Sequence, residues 1–190
     1  MLAWAPMVAA GTAAVTRIWP CVDVAHICAT IIKHRNRKGK HTMSTNTVTL
    51  HRVLRAPPER IYRAFLEPAA MAKWLPPYGF TCDVLHMDAR VGGSYKMAFT
   101  NFGNGRGNSF GGDYLELVPG SRICYTAQFD DTNLPGTMKT TVTLSAVACG
   151  TEVNVVQEGI PEAIPAEMCY LGWQESLAQL ATLVEPDIPG

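Results

Sequence analysis

The chain has 190 residues, 47% of them hydrophobic and 17% charged, which suits a globular protein with an adequate core rather than a disordered or fibrous one. Its formal net charge is zero but unevenly spread: residues 1–42 carry six basic and one acidic side chain, and residues 43–190 carry ten basic and fifteen acidic. An acidic domain with no basic stripe argues against nucleic acid as the main partner, and six cysteines without a C-x-x-C pair fit reduced thiols in a cytoplasmic protein better than a disulfide framework.

Residues 1–42 are an apolar, Ala- and Val-rich stretch ending in the basic run Lys33–Lys40. They make a poor secretory signal, because no basic residue precedes the apolar part. They make a poor membrane span too, because Arg17 and Asp23 interrupt it. The expectation is a leader, disordered or a misassigned start, ahead of one domain covering residues 43–190. Weak targeting or membrane contact is the second reading.

Thr47–Arg55 is rich in β-branched residues and reads as a strand. Pro57-Pro58 opens a short helix on which Ile61, Ala64, Phe65 and Leu66 share a face, and Pro68 opens a second with Met71, Trp74 and Leu75 apolar. Six strand-like runs follow: Phe80–Arg90, Gly93–Phe102, Ser109–Val118, Ile123–Phe129, Met138–Val147 and Glu152–Gly159. Gly- and Pro-bearing turns separate them. No helical pattern intervenes, so an antiparallel meander is expected and a parallel sheet is not.

The last element is a helix over Ile164–Glu185. Its apolar residues Ala166, Cys169, Tyr170, Trp173, Leu177, Leu180 and Val184 step by three or four, and Pro186 forbids continuation. Sheet and helix must each bury one face. A twisted sheet can therefore curl around the helix, giving an α+β fold of about seven antiparallel strands gripping a long C-terminal helix. A cavity between them is the place to look for function.

The chemistry-bearing residues are weighed in that frame. Gly103–Gly107 lacks the spacing of a phosphate loop and leads into a strand, so it reads as a hairpin tip. Cys82 and His86 share a face of a regular strand but stand about 13 Å apart, so no metal is expected. No nucleophile elbow or paired carboxylates single out a catalytic set. Cys169 reads as a small core residue.

Tyr95, Met97 and Phe99 share one strand face, Ile123, Tyr125 and Phe129 another, and Val153, Val155 and Gln157 a third. Tyr170 and Trp173 lie on the helix face opposite. Tyr95, Met97, Phe99, Tyr125, Gln157, Tyr170 and Trp173 are thus the expected lining of a pocket for a mostly apolar ligand. On the strand from Ser109 to Val118, Phe110, Tyr114 and Glu116 alternate against Leu115 and Leu117, which leaves its inner face open. No cofactor is expected.

The pieces APPERIYRAFLEP, AKWLPPYGF, DARVGGSYKM, GDYLELVPGSRICYT, VVQEGIP and GWQESLAQLATLVE, in this order, resemble the helix-grip superfamily called SRPBCC, or START-like. The likeness spans Val48–Glu185, and within the superfamily it resembles the domain of activators of the Hsp90 chaperone's ATPase. The resemblance implies a container fold shared by lipid carriers, polyketide aromatase/cyclases, hormone receptors and co-chaperones. It brings no catalytic residues onto this sequence.

Three functions compete. The first is non-enzymatic binding of a small hydrophobic molecule, with membrane and nucleic acid not expected as partners. The second is a chaperone-modulating module, although those activators carry a further N-terminal domain that a 42-residue leader is too short to supply. The third is a cyclase-like or hydrolase-like enzyme using Glu116 as its acid/base group.

Overall fold

The computed structural model describes residues 46–187, and the expected leader at residues 1–42 lies outside them. Seven strands form one antiparallel sheet: β1 (Val48–Leu54), β2 (Phe80–Met87), β3 (Ser94–Asn101), β4 (Gly107–Val118), β5 (Arg122–Phe129), β6 (Met138–Val147) and β7 (Gly150–Glu158). Their spatial order is β1-β7-β6-β5-β4-β3-β2, so β1 and β2 are the two edges. Helices α1 (Pro58–Ala64) and α2 (Pro68–Trp74) carry the chain from one edge to the other. The long helix α3 (Ala166–Val184) lies against the inner face of the curled sheet. This is the expected helix-grip α+β architecture.

Prolines set the helix starts. Pro58 and Pro68 occupy first-turn positions, where the missing N–H would have had no partner anyway. Both short helices end on buried aromatics: Phe65 and Trp74 are almost fully buried and meet edge to face, ring centroids 4.6 Å apart. Trp74 Nε1 donates to the Ala64 carbonyl at 2.9 Å, which pins α2 to α1.

Helix α3 is held chiefly along its C-terminal two-thirds. Leu177, Leu180 and Val184 are fully buried against the sheet. Glu175 accepts from the Tyr78 amide at 3.0 Å, Ser176 Oγ donates to the Leu75 carbonyl at 2.6 Å, and Gln179 Nε2 donates to the Pro76 carbonyl. Arg60 donates to the Val184 carbonyl at 3.0 Å, which satisfies an orphan acceptor and places a positive charge at the negative end of the helix. Arg52 bonds Gln174 across to β1.

Two irregularities shift strand phase. Between β4 and β5 the register passes from Tyr114↔Tyr125 to Glu116↔Cys124, so Leu115 is an extra residue with no partner. This bulge turns Glu116 outward and Leu117 inward. The inner set of β4 is therefore Phe110, Tyr114 and Leu117, a mixture that strict alternation cannot produce. A similar shift between Val84 and His86 leaves Leu85 exposed and turns His86 out, so Cys82 and His86 do not share a face. The Gly103–Gly107 stretch is a hairpin tip between β3 and β4, where Asn101 Oδ1 accepts from the amides of Gly103 and Asn104.

Candidate functional site

The inner face of the sheet carries a row of side chains that runs straight across five strands. Register pairs Val48 of β1 with Gln157 of β7, Gln157 with Thr140 of β6, Thr140 with Tyr125 of β5, and Tyr125 with Tyr114 of β4. Directly paired residues point to the same face, so these five form one continuous line under α3. All five are buried. Four bear polar tips in a core otherwise made of Val, Leu, Ile and aromatic rings.

One of those polar tips, Gln157, is satisfied from the helix side, and two, Tyr114 and Thr140, have no partner. Gln157 Oε1 accepts from Trp173 Nε1 at 2.9 Å and from the Cys169 thiol at 2.8 Å, which ties β7 to α3. Tyr95 lies beside the row and donates its hydroxyl to the Thr126 carbonyl at 2.7 Å. Its ring meets those of Tyr114 and Tyr125 at 5.6 and 5.8 Å. The hydroxyls of Tyr114 and Thr140, by contrast, are fully buried with no hydrogen-bond partner. Leaving such a group unpaired costs about 1–3 kcal/mol.

The electrostatics of this face are uniform. Burial raises the Tyr114 phenol to about 12, and burial also raises Tyr95 and Tyr125, each helped by the other phenols nearby. For Tyr125 the facing Thr140 hydroxyl pulls slightly the other way, without reaching hydrogen-bond geometry. Burial lifts the Cys169 thiol to about 11. Among the described residues no charged side chain is buried. Every polar group on the row is neutral at ordinary pH, so the row can exchange hydrogen bonds but has no general acid or base poised near pH 7.

The end of the row at Val48 opens to solvent. Thr47, Val48 and Thr49 form one bank of a groove of about 440 Å³, and Ala166, Glu167, Tyr170 and Leu171 of α3 form the other. Tyr170 and Leu171 are 42% and 55% exposed, unlike the buried residues further along. A second groove of about 500 Å³ lies across Ser94, Lys96, Gly111, Gly112, Gln128 and Asp130.

Of the seven expected lining residues, Tyr95, Met97, Tyr125, Gln157 and Trp173 are buried on the inner face, Phe99 is partly buried against Phe110 at 4.9 Å, and Tyr170 stands on the groove rim. The 42% exposure of Tyr170 is a departure from its expected inward position, since it lines the groove beside Thr47, Val48 and Thr49. Tyr114 and Thr140 are not among the expected lining residues. Tyr114 was hidden by the bulge at Leu115, and Thr140 sits in an alternating strand as an unremarkable polar residue. Glu116, the candidate acid/base, pairs with Arg122 at 3.0 Å with about half of each side chain exposed. It faces away from the row. No group of three or more His, Cys, Asp or Glu among the described residues could hold a metal ion.

The family model described as Activator of Hsp90 ATPase homolog 1-like protein matches residues 55–185, more than half of the chain. No curated protein matches. Among solved structures, a Chromobacterium violaceum protein is similar at 67% identity and a TM-score of 0.74, over 75% of this chain and 99% of that one. A Rhodobacter sphaeroides protein is 22% identical, TM-score 0.66, over 74% of this chain and 92% of that one. A Nitrosomonas europaea protein is 21% identical, TM-score 0.62, over 75% and 97% respectively. The latter two share the fold.

Proposed function

The chain belongs to the Activator of Hsp90 ATPase homolog 1-like protein family, and from that premise we propose that it is a non-enzymatic binder of a small, mostly apolar molecule held between the sheet and the first turns of α3. The observation that carries this reading is the row from Val48 to Tyr114. It begins at an open groove and carries two hydroxyls that are buried and unpaired, Thr140 in its middle and Tyr114 at its far end. Phe and Val at those two positions would fill similar space without an unpaired hydroxyl. A molecule entering at Tyr170 and reaching inward would supply the missing partners. The outward Glu116 and the neutral phenols support binding rather than chemistry.

The test is native mass spectrometry of the purified full chain together with titration by a fluorescent hydrophobic probe. A co-purifying species, or saturable probe binding that Tyr170→Ala weakens several-fold, is expected. Neither a bound species nor saturable binding would sink the reading.

A second reading, a cytoplasmic module that contacts a chaperone, draws on the family and on the exposed aromatics Phe102 and Tyr78, 82% and 60% exposed. These two residues lie close in the fold, since the Phe102 amide donates to the Gly79 carbonyl at 2.9 Å. It expects a changed chaperone ATPase rate on adding this domain, reduced by Phe102→Ser. An unchanged rate at saturating domain counts against it.

A further inference from the structure

We infer that the first turns of α3, residues 166–171, are a lid that opens at Gly172 and widens the groove beside Val48 into an entrance. This rests on the binding reading above and supplies its way in. Four observations carry it.

The first is the glycine itself. Gly172 lies inside a 19-residue helix, and a Cβ built on it would meet nothing within 4 Å among the described residues. Its φ is not in the left-handed region. Neither packing nor backbone conformation therefore requires glycine there, although glycine weakens a helix interior relative to alanine. What it adds at that point is freedom to bend. The second is Ser176, whose Oγ lies 2.9 Å from the Gly172 carbonyl as well as 2.6 Å from that of Leu75. A serine bonded to the carbonyl four residues earlier loosens and bends a helix there.

The third is the change in anchoring at Gly172. On its C-terminal side Trp173, Ser176, Leu177, Leu180 and Val184 are buried. Bonds from Trp173, Glu175, Ser176 and Gln179 fasten that part to β7 and to the segment before β2. None of residues 166–171 is buried. Ala166 and Cys169 pack partly against the core. Among the described residues, the one side-chain bond from this stretch to the sheet is the Cys169 thiol on Gln157, and a thiol is a weak donor. The fourth is the chain leading in. Ile160 is 2% exposed and its amide donates to the Asn46 carbonyl at 3.0 Å, whereas Glu162 and Ala163 form an exposed turn. The lid thus lies between two fixed points, Ile160 and Trp173, with a turn at one end and Gly172 at the other.

Opening breaks one weak sulfur bond and the partial burial of a few side chains, and it uncovers Val48 and Gln157 at the groove end of the row. Segments that move to admit a ligand are drawn from such weakly held parts of a fold.

The experiment is labelling of the native full chain with iodoacetamide. Peptide mass spectrometry locates the modified cysteines, and each rate is referred to that of the denatured chain. Cys169, held on Gln157, reports opening of the lid, and Cys124, 5% exposed in β5, reports opening of the sheet. Cys169 is expected to react at least about tenfold faster than Cys124. Val142→Ala, or mild urea in its place, weakens the sheet core and should speed Cys124 at least about threefold while leaving Cys169 unchanged. Gly172→Ala fills empty space, so the variant is expected to fold. It should slow Cys169 about fivefold, the helix-interior difference between the two residues, and slow association of a fluorescent hydrophobic probe by a similar factor. Cys169 accelerating in step with Cys124, or a Cys169 rate that Gly172→Ala leaves unchanged, overturns the lid whatever the probe does. Probe association undiminished in Gly172→Ala overturns its role as the entrance. Absence of saturable probe binding sinks the binding reading, and the thiol rates then decide alone whether the helix opens at Gly172.

Discussion

Individual side chains on the row are expected to respond in opposite directions to similar changes. Gln157→Leu removes the acceptor of both Trp173 Nε1 and the Cys169 thiol, and should cost about 1–3 kcal/mol through the unpaired indole. Thr140→Val, at the next register position, removes a hydroxyl that has no partner and keeps the shape. It should be neutral or stabilise the free protein by up to about 1 kcal/mol. Denaturant midpoints measured side by side check the pair, and a destabilisation of Thr140→Val as large as that of Gln157→Leu would show that the hydroxyl is bonded after all. Val153, Val155 and Gln157 were legible as a common face from alternation alone, and all are buried. The orphaned state of Tyr114 and Thr140 was not, since hydrogen-bond satisfaction depends on what four other strands and a helix bring to the same place.

Elements differ in how fully they are committed to the core. Leu180 is fully buried at the contact of α3 with the sheet, so Leu180→Asp should abolish folding or cost at least about 4 kcal/mol. Leu171, nine residues earlier on the same helix but off its apolar stripe and 55% exposed, should tolerate Leu171→Asp within about 0.5 kcal/mol. Equal losses would mean that the helix is uniformly buried and the groove does not exist. In β4, Leu115 is the extra residue of the bulge. Its deletion should restore plain alternation with Tyr114 and Leu117 still inward, so a cooperative thermal transition is expected to persist. The short helices were readable from their prolines. The bulge was not, because an unpaired residue is defined only against the neighbouring strand.

At the scale of the whole molecule, the three inner phenols make alkaline stability a property of the fold. Tyr95, Tyr114 and Tyr125 all have values raised by burial from an ordinary 10.0, Tyr114 to about 12. In the unfolded chain they ionise first, so folding holds their protons. Stability is fully present below about pH 10 and is lost as pH rises through the raised folded values. Cooperative alkaline unfolding coincident with absorbance from three phenolates beyond those of the more exposed Tyr62, Tyr78 and Tyr170 is expected, and Tyr114→Phe should move the midpoint to higher pH. Absorbance of more than three phenolates below the unfolding transition would mean that the inner tyrosines are solvated. No helix among the described residues is long and apolar enough to cross a membrane.

The sequence by itself determined the order of elements, the helix-grip class and the apolar faces, because 2.0- and 3.6-residue periods and proline positions are local properties that a chain carries before it folds. Only the tertiary structure decided which polar groups meet: that Glu116 turns out to Arg122, that Tyr170 stands on a rim, and that Tyr114 and Thr140 lie on one buried row without partners. Those outcomes depend on register, a bulge and the placing of α3 against the sheet. Each is set by contacts between residues far apart in the chain, and no single stretch encodes them.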